Sequence, residues 1–310
     1  MGKLKHVDAF NRLKEISRFK ISKRGAAKML VKEGFFTSVE KARAFVRQHT
    51  MALGDSSRDN IPWIEDVPTP IETEFGVLEI PKDTDGIGLL CDIHIPFQDE
   101  KTIRSFLERK DEYKTIIIQE VFDFFSLSRF HKHRTLDIAK EQEDFFQLME
   151  LIRKEAPEHR IIFQQGNHDD RFWVYVMRQA RELENLIGME FETIFGFDEF
   201  GIELLPTRNL IHYRELYIGH GHEINAGGVP VSPARTFSLK TKGNFIGGHF
   251  HRTSEHITRN IKGDVMGCWS VGCACNLQPL YAPVNEWNNG YAIIRPFGEN
   301  QFRVKNIKLF

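Results

Sequence analysis

Five short apolar runs, each followed at once by acidic, amide or imidazole side chains, constrain the fold of this chain more than any other feature. The runs are as short and as rich in aliphatic residues as buried strands usually are. They end at Cys91, Ile118, Phe163, Ile218 and Ile246. Residues that follow the carboxyl ends of strands in an open α/β fold face a common crevice. We therefore predict an α/β fold in which the five polar groups meet.

The polar groups consist of side chains that proteins use as metal ligands. In chain order they are Asp92-Ile93-His94, Glu120 with Asp123, Gly166-Asn167-His168-Asp169, His220, and Gly248-His249-Phe250-His251. Carboxylate, amide and imidazole donors in one pocket suit two divalent cations, a pair that activates water against phosphorus. This mixture favours Mn²⁺, with Fe²⁺ or Zn²⁺ as alternatives, over Ca²⁺. One such motif is common by chance, whereas five in this order predict a site for two metal ions.

The order of these motifs resembles that of the calcineurin-like metallophosphoesterase superfamily over roughly residues 84 to 295. Gly-Asn-His-Asp and Gly-His-Phe-His are the most specific parts of the likeness. The resemblance implies a four-layer αββα sandwich and the hydrolysis of phosphoric esters. It also implies the ligands of two metal ions: Asp92, His94 and His251 for the first, Asn167, His220 and His249 for the second, and Glu120 between them.

His168 resembles the family histidine that lies beside the metals and protonates the leaving oxygen, a task for a side chain that titrates near neutrality. We add its neighbour Asp169 and the basic Arg129 as catalytic candidates. The guanidinium of Arg129 has the shape to bind the phosphoryl oxygens that do not react, although ordinary ion pairing is an equally good interpretation. His222 competes with His220 for the ligand position, and we favour His220 because it follows its strand more closely.

One departure from the family motif concerns the bridging carboxylate, because Gln119-Glu120 stands where the family has Gly-Asp. Glutamate carries one more methylene, so its carboxylate reaches about 1.5 Å further and must fold back to lie between two ions about 3.5 to 4 Å apart. A glutamine in place of glycine also needs an ordinary backbone conformation and room for its amide. Three outcomes stay open: a working Glu bridge, one weakened metal position, or a site without turnover.

The four cysteines are Cys91, Cys268, Cys273 and Cys275. Cys273-Ala-Cys275 could hold a metal, but the sequence contains no second pair that would complete a thiolate site. We therefore expect reduced, buried thiols.

Charge is divided unevenly along the chain, although the whole has a net charge of −1. Residues 1 to 50 contain 13 Lys or Arg and 4 Asp or Glu, a net of +9, and the remainder carries −10. Such asymmetry is typical of a basic part that binds a polyanion. We predict a basic domain over 1 to 50, a linker or arm with several prolines over 51 to 83, and a catalytic domain over 84 to 310.

The basic segment has three stretches with helical spacing of apolar residues. Val7 to Phe19 and Ser22 to Lys32 are the first two, and a capping box at Thr37-Ser38-Val39-Glu40 starts the third, with Thr37 as its cap. Polar and basic residues lie off the apolar face of the third helix: Lys41, Arg43, Arg47 and Gln48. The segment resembles the helix-turn-helix head of phage-encoded phosphoesterases, and a helical appendage or an oligomerisation module is the alternative.

These features together predict a Mn²⁺-dependent DNA phosphodiesterase or nuclease whose basic head binds DNA. Two alternatives stay open. One is a phosphodiesterase or phosphatase that acts on small molecules such as nucleotides, and the other is a DNA-binding protein whose site has lost turnover. The chain has no run of about 18 apolar residues and no secretory signal, so we expect a cytoplasmic protein outside the membrane.

Overall fold

A computed structural model of the chain describes residues 2–17, 22–49, 76–128, 137–184, 186–279 and 282–310. The chain divides into two compact units, Met1–Thr73 and Glu74–Phe310. The predicted catalytic residue Arg129 and most of the predicted linker, residues 51–75, lie outside the described residues. Within the described parts, no helix is long and apolar enough to cross a membrane.

The first unit contains the three helices that the sequence predicts: α1 (Gly2–Ser17), α2 (Lys23–Lys32) and α3 (Val39–His49). Ser22 caps α2, because its hydroxyl accepts a hydrogen bond from the backbone N–H of Gly25. The cap of α3 differs from the prediction by one residue. The Ser38 hydroxyl accepts from the N–H of Lys41, since the helix begins at Val39 and Ser38 therefore occupies the capping position expected of Thr37.

A small apolar core holds these helices together. It contains Ala9, Leu13, Ile16, Ala26, Ala27, Leu30, Ala42, Phe45 and Val46. The basic side chains of α2 and α3 lie outside this core. Those that are exposed to solvent are Lys23, Arg24, Lys28, Lys32, Lys41, Arg43 and Arg47. This unit therefore keeps its charges at the surface.

The second unit alternates strands and helices. Its strands are β1 (Val77–Ile80), β2 (Ile87–Cys91), β3 (Thr115–Gln119), β4 (Arg160–Gln164), β5 (Ile202–Leu205), β6 (Leu210–Tyr213), β7 (Leu216–Ile218), β8 (Phe245–Gly247), β9 (Ser254–Arg259), β10 (Val265–Ser270), β11 (Gly290–Phe297) and β12 (Gln301–Lys308). Its helices are α4 (Glu100–Leu107), α5 (Ile138–Glu155), α6 (Arg171–Gln179), α7 (Phe191–Ile194), α8 (Phe197–Phe200) and α9 (Pro233–Thr241). The five predicted apolar runs form β2, β3, β4, β7 and β8. Strand β1 lies inside the segment that we predicted as a linker.

The strands form two mixed sheets. Sheet I has the order β12-β11-β2-β3-β4-β5, and sheet II has the order β1-β6-β7-β8-β10-β9. Strands β2 to β5 run parallel, whereas β11 is antiparallel to both β2 and β12. In sheet II, β8 is parallel to both β7 and β10.

Alternating side chains of sheet I build two cores, one on each face. Ile116 and Ile118 of β3 pack with residues of α4 to α8, whereas Ile117 between them packs against sheet II. On the far side of sheet II, Phe237 of α9 packs against Phe245 and Cys268. Helices, sheet I, sheet II and α9 thus form four layers, which confirms the predicted αββα sandwich.

Candidate metal centre

Five strands deliver the predicted ligand groups to one place, and they come from both sheets. The groups after β2, β3 and β4 belong to sheet I, and the groups after β7 and β8 belong to sheet II. The sequence predicts convergence at strand ends, but it does not show that the strands belong to two different sheets. The site therefore lies where the ends of the two sheets meet.

The backbone is left-handed at five of these residues, a conformation that costs non-glycine residues of order 1–3 kcal/mol each. The φ angles are 55° at Asp92, 49° at His94, 48° at Glu120, 70° at His249 and 56° at His251. Hydrogen bonds between the neighbouring turns hold this backbone, for example from the N–H of Ile93 to the carbonyl of Glu120, at 3.0 Å. A concentration of unfavourable φ angles in one buried pocket is typical of a functional site.

Asp92, His94 and His251 come together around the first predicted metal position. The Nε2 atom of His251 lies 3.3 Å from Oδ1 of Asp92 and 3.2 Å from Nε2 of His94. Donor atoms bound to one cation at about 2.1 Å lie roughly 3 Å from one another. These three side chains therefore have the spacing of ligands to a single ion.

Glu120, His220 and His249 form the second group, and their donor atoms lie within 4.8 Å of one another. Nε2 of His220 lies 2.6 Å from Oε2 of Glu120. Asn167 adds its amide oxygen, which is buried and has no hydrogen-bond partner within the described part of the chain. An unpaired buried oxygen is costly unless a cation or water meets it, so this residue fits a ligand role.

The carboxylate of Glu120 spans the two groups. Its Oε1 atom lies 3.5 Å from Nε2 of His94, and its Oε2 atom faces His220. Glycine makes this position possible, because a Cβ atom on Gly166 would lie only 2.2 Å from Oε2 of Glu120. Gly248 leaves similar room beside Asp92, where an added Cβ would lie 2.5 Å from Oδ2.

A chain of buried polar groups accommodates Gln119, which stands where the family that the sequence resembles has glycine. Gln119 is the last residue of β3, and its Oε1 atom accepts from the thiol of Cys91 at 3.0 Å. Its Nε2 atom donates to Gln164 at 2.7 Å, and Gln164 donates in turn to the carbonyl of Asn209. Each amide is therefore paired, which avoids the cost of about 1–3 kcal/mol for an unsatisfied buried group.

His168 lies at the edge of the centre, with its side chain 16% exposed. Its Nε2 atom is 3.7 Å from Oε1 of Glu120 and accepts a hydrogen bond from Arg171 at 2.9 Å. Arg171 also donates to Oδ1 of Asp123 at 3.1 Å, and Asp123 lies 3.7 Å from Nδ1 of His168. Arg171 and Asp123 together fix the imidazole ring, a role for Arg171 that the sequence did not indicate.

Asp169 faces the backbone. Its carboxylate accepts from the N–H groups of Phe122 and Gly166, at 3.0 and 2.8 Å, and so ties the turn after β3 to the turn after β4. Its catalytic role stays a prediction. His222 points elsewhere, because its Nε2 atom lies 3.0 Å from the Thr207 hydroxyl.

Burial and mutual charge shift the pKa of several side chains in the centre. Burial alone would raise the pKa of Asp92 and Glu120, but neighbouring histidines outweigh it and the pKa of both carboxyls falls below the ordinary value. Burial would lower the pKa of His251, yet Asp92 raises it to about 10. The pKa of His94 falls to about 3, chiefly through burial, which leaves a neutral imidazole of the kind that binds metals.

Two residues beside His251 were not predicted. The thiol of Cys275 lies 4.0 Å from Nδ1 of His251, and the ring of Trp287 lies 4.0 Å from the imidazole ring. The donor atoms of His94, His251 and Cys275 also lie within 4.8 Å of one another. All four cysteines are free and buried, as expected.

Comparison with known proteins finds relatives in bacteriophages. The chain is 25% identical over 234 residues to the gene 54 protein of Mycobacterium phage L5, which covers 69% of this chain and 90% of the relative. The gene 54 protein of Mycobacterium phage D29 is 26% identical with the same coverage. No family model matches the chain.

One solved structure that matches this chain aligns with it at a low TM-score. A predicted phosphoesterase from Streptococcus pneumoniae has a TM-score of 0.32 and 13% identity, and the alignment covers 71% of this chain and 87% of that one. A score this low supports no functional argument. The arrangement of the donor groups is therefore the basis for the function proposed below.

Proposed function

We propose that this chain is a metal-dependent phosphodiesterase of the calcineurin-like metallophosphoesterase type. The observation that carries the proposal is the position of Glu120, whose two carboxylate oxygens face two separate groups of donors. One carboxylate shared between two sets of histidines suits a pair of divalent cations. Among the three outcomes that the sequence left open, this geometry favours a working Glu bridge.

The side chains of the centre have different proposed roles. Asp92, His94 and His251 would hold one cation and Asn167, His220 and His249 the other, with Glu120 common to both. Two divalent cations bound there supply Lewis acidity and lower the pKa of a water molecule near the phosphorus. His168 lies at the exposed edge, where it would donate a proton to the leaving oxygen. For that transfer Nε2 of His168 would have to carry the proton, so Arg171 would release this nitrogen while Asp123 keeps the ring oriented through Nδ1.

We propose Mn²⁺ as the natural metal. Carboxylate, amide and imidazole donors suit Mn²⁺ and Fe²⁺, and Zn²⁺ also accepts imidazole and carboxylate ligands. Metal analysis of the purified protein would distinguish the three ions.

We propose DNA as the substrate, with the first unit as its binding part. Seven basic side chains of α2 and α3 are exposed, and such clusters bind phosphates of a nucleic acid backbone. The relatives are phage proteins, which agrees with an enzyme that cleaves DNA in the cytoplasm of an infected cell. Small nucleotides are the alternative substrate, since the donor groups alone do not distinguish a free diester from one in DNA.

A substrate panel tests the proposal. Protein that has been stripped of metal and reloaded with Mn²⁺ is offered bis(p-nitrophenyl) phosphate, p-nitrophenyl phosphate, and labelled single- and double-stranded DNA. His168→Ala is the active-site variant. His212→Ala is its matched control, because His212 pairs with Glu79 on β1, away from the donor groups.

We expect cleavage of the diester and of DNA by the wild type and by His212→Ala, and little by His168→Ala. Diester cleavage with intact DNA would support the small-molecule alternative. Intact substrates throughout, with DNA still bound, would overturn the enzymatic proposal in favour of a DNA-binding protein without turnover.

A further inference from the structure

His251 is held through its backbone and through its ring. The backbone carbonyl of His251 accepts from the N–H of Asn288 at 2.9 Å. The ring of Trp287 covers one side of the imidazole, with 4.0 Å between the ring centres. Its Nε2 atom faces Asp92 and His94, so its Nδ1 atom is the nitrogen that faces away from the first metal position.

The group at that nitrogen is the thiol of Cys275, with Sγ 4.0 Å from Nδ1 and the side chain buried. Metal-binding histidines usually donate their second N–H to a carboxylate, a carbonyl or water, and this fixes the tautomer. A cysteine sulfur takes that place here. The backbone around Cys275 is anchored, because Asn289 donates to its carbonyl at 2.8 Å and Asn276 donates to the carbonyl of Phe97.

We propose that Cys275 is a positioning residue for the first metal position, whose sulfur accepts the Nδ1–H of His251 and so keeps Nε2 free to bind the ion. This inference rests on the proposed function, since it gives His251 its role as a ligand. The sulfur acts through the imidazole and is not itself a ligand.

A second cysteine, Cys273, also interacts with His251. The thiol of Cys273 also lies near His251, but it is directed at the carbonyls of Cys275 and Asn288, at 3.9 and 3.6 Å. Because Cys273 also interacts with His251, Cys273→Ala is a comparison variant that separates the contributions of the two thiols. Cys268→Ala is the distant control, because this thiol lies under α9 and donates to the carbonyl of Gly243.

The experiment measures metal binding without turnover. Isothermal titration of the metal-free protein with Mn²⁺ should show one of the two binding steps weakened about 10- to 100-fold in Cys275→Ala. Cys275→Ser should recover part of the loss, because its hydroxyl can also accept from Nδ1–H. Cys268→Ala should bind within about twofold of wild type, and Cys273→Ala should lose less affinity than Cys275→Ala. Equal affinity in Cys275→Ala and wild type would overturn the proposal.

Two spectroscopic measurements test the role of Cys275 even if Cys275→Ala does not fold. In ¹⁵N-histidine-labelled wild type loaded with Zn²⁺, we expect His251 to carry its proton on Nδ1. A metal-bound Nδ1 would contradict the proposal. Co²⁺-loaded wild type should lack the sulfur-to-metal charge-transfer absorption of a thiolate ligand, and such a band that disappears in Cys275→Ser would overturn the positioning role.

Failure of this inference is distinguishable from failure of the proposed function. If wild type binds no divalent metal, the proposed function fails with it. If wild type binds metal and cleaves the diester while Cys275→Ala binds metal equally well, only the role of Cys275 fails.

Discussion

The two units of this protein differ in where their clusters of charged side chains lie, at the surface in the first and buried in the second. In the first unit, seven basic side chains of α2 and α3 stand exposed around a small apolar core. In the second unit, Asp92, Glu120, Asp123, Asp169 and His220 are almost completely buried. Exposed charges cost little and are screened by salt, whereas buried charges must be paired or bound to ions. The first pattern is typical of a surface that binds a polyanion, and the second is typical of a site that binds cations.

Removal of His168 tests the buried site most severely. We expect His168→Ala to lower kcat on a diester about 10²- to 10⁴-fold, because a general acid contributes that much to proton transfer. Metal affinity, measured by titration calorimetry, should change only a few-fold. A large loss of metal binding instead would make His168 a ligand, which its place near His94 and Glu120 also permits.

Shortening the side chain of Glu120 tests whether the metal centre needs a glutamate at this position. Glu120→Asp withdraws the oxygens by about 1.5 Å from both donor groups, and a misplacement of that size can cost up to about 10²-fold in rate. We therefore expect weaker Mn²⁺ binding and slower turnover, measured side by side. A sharp rise in activity would mean that the natural glutamate attenuates the enzyme.

The exposed basic side chains of the first unit should affect the affinity for DNA and not the turnover of a small diester. We expect replacement of Lys41, Arg43 and Arg47 by glutamine to weaken DNA binding by tens-fold in fluorescence anisotropy. The slope of affinity against salt should fall by about 0.9 for each lost phosphate contact. Diester turnover should not change. Lys101, Arg104 and Lys154, exposed on the second unit, provide a matched triple control, and an equal loss there would contradict the proposed role of the first unit.

The smallest expected effect is on the pH dependence of stability, and it comes from Glu141, a buried acid outside the donor groups. Burial raises the pKa of Glu141 to about 8, and its carboxyl accepts from the N–H of Phe124 at 2.9 Å. The folded protein therefore holds a proton that the unfolded chain releases near pH 4.5, so stability decreases as pH rises between those values. The slope is at most about 1.4 kcal/mol per pH unit.

Glu141→Gln should remove this contribution, because its amide can still accept from Phe124 but does not titrate. Thermal melts at pH 6 and pH 8 should show a smaller fall in Tm for the variant than for wild type. Glu143→Gln, on the exposed side of the same helix, should behave as wild type. Identical slopes for Glu141→Gln and wild type would show that this acid does not bind a proton in the folded state.

Strand periodicity and motif order predicted much of the second unit. Each of the five apolar runs is a strand, and each polar group follows its strand, because both properties are local in sequence. Within the predicted linker, the four residues Val77–Ile80 add an edge strand to sheet II, and the boundaries of the predicted domains stay a prediction. The cap of α3 was misplaced by one residue because Thr37 and Ser38 offer the same hydroxyl chemistry.

The amino-acid sequence by itself determined which elements form and which side chains stand at their ends, since these depend on the period of apolar residues and on the chemistry of each motif. Only the tertiary structure decided that the ligand groups come from two sheets, that Gly166 leaves room for the longer Glu120, and that Cys275 lies against His251. Those contacts join residues 24 to 157 positions apart. No local pattern specifies such a distance, because it is fixed by the packing of whole layers against one another.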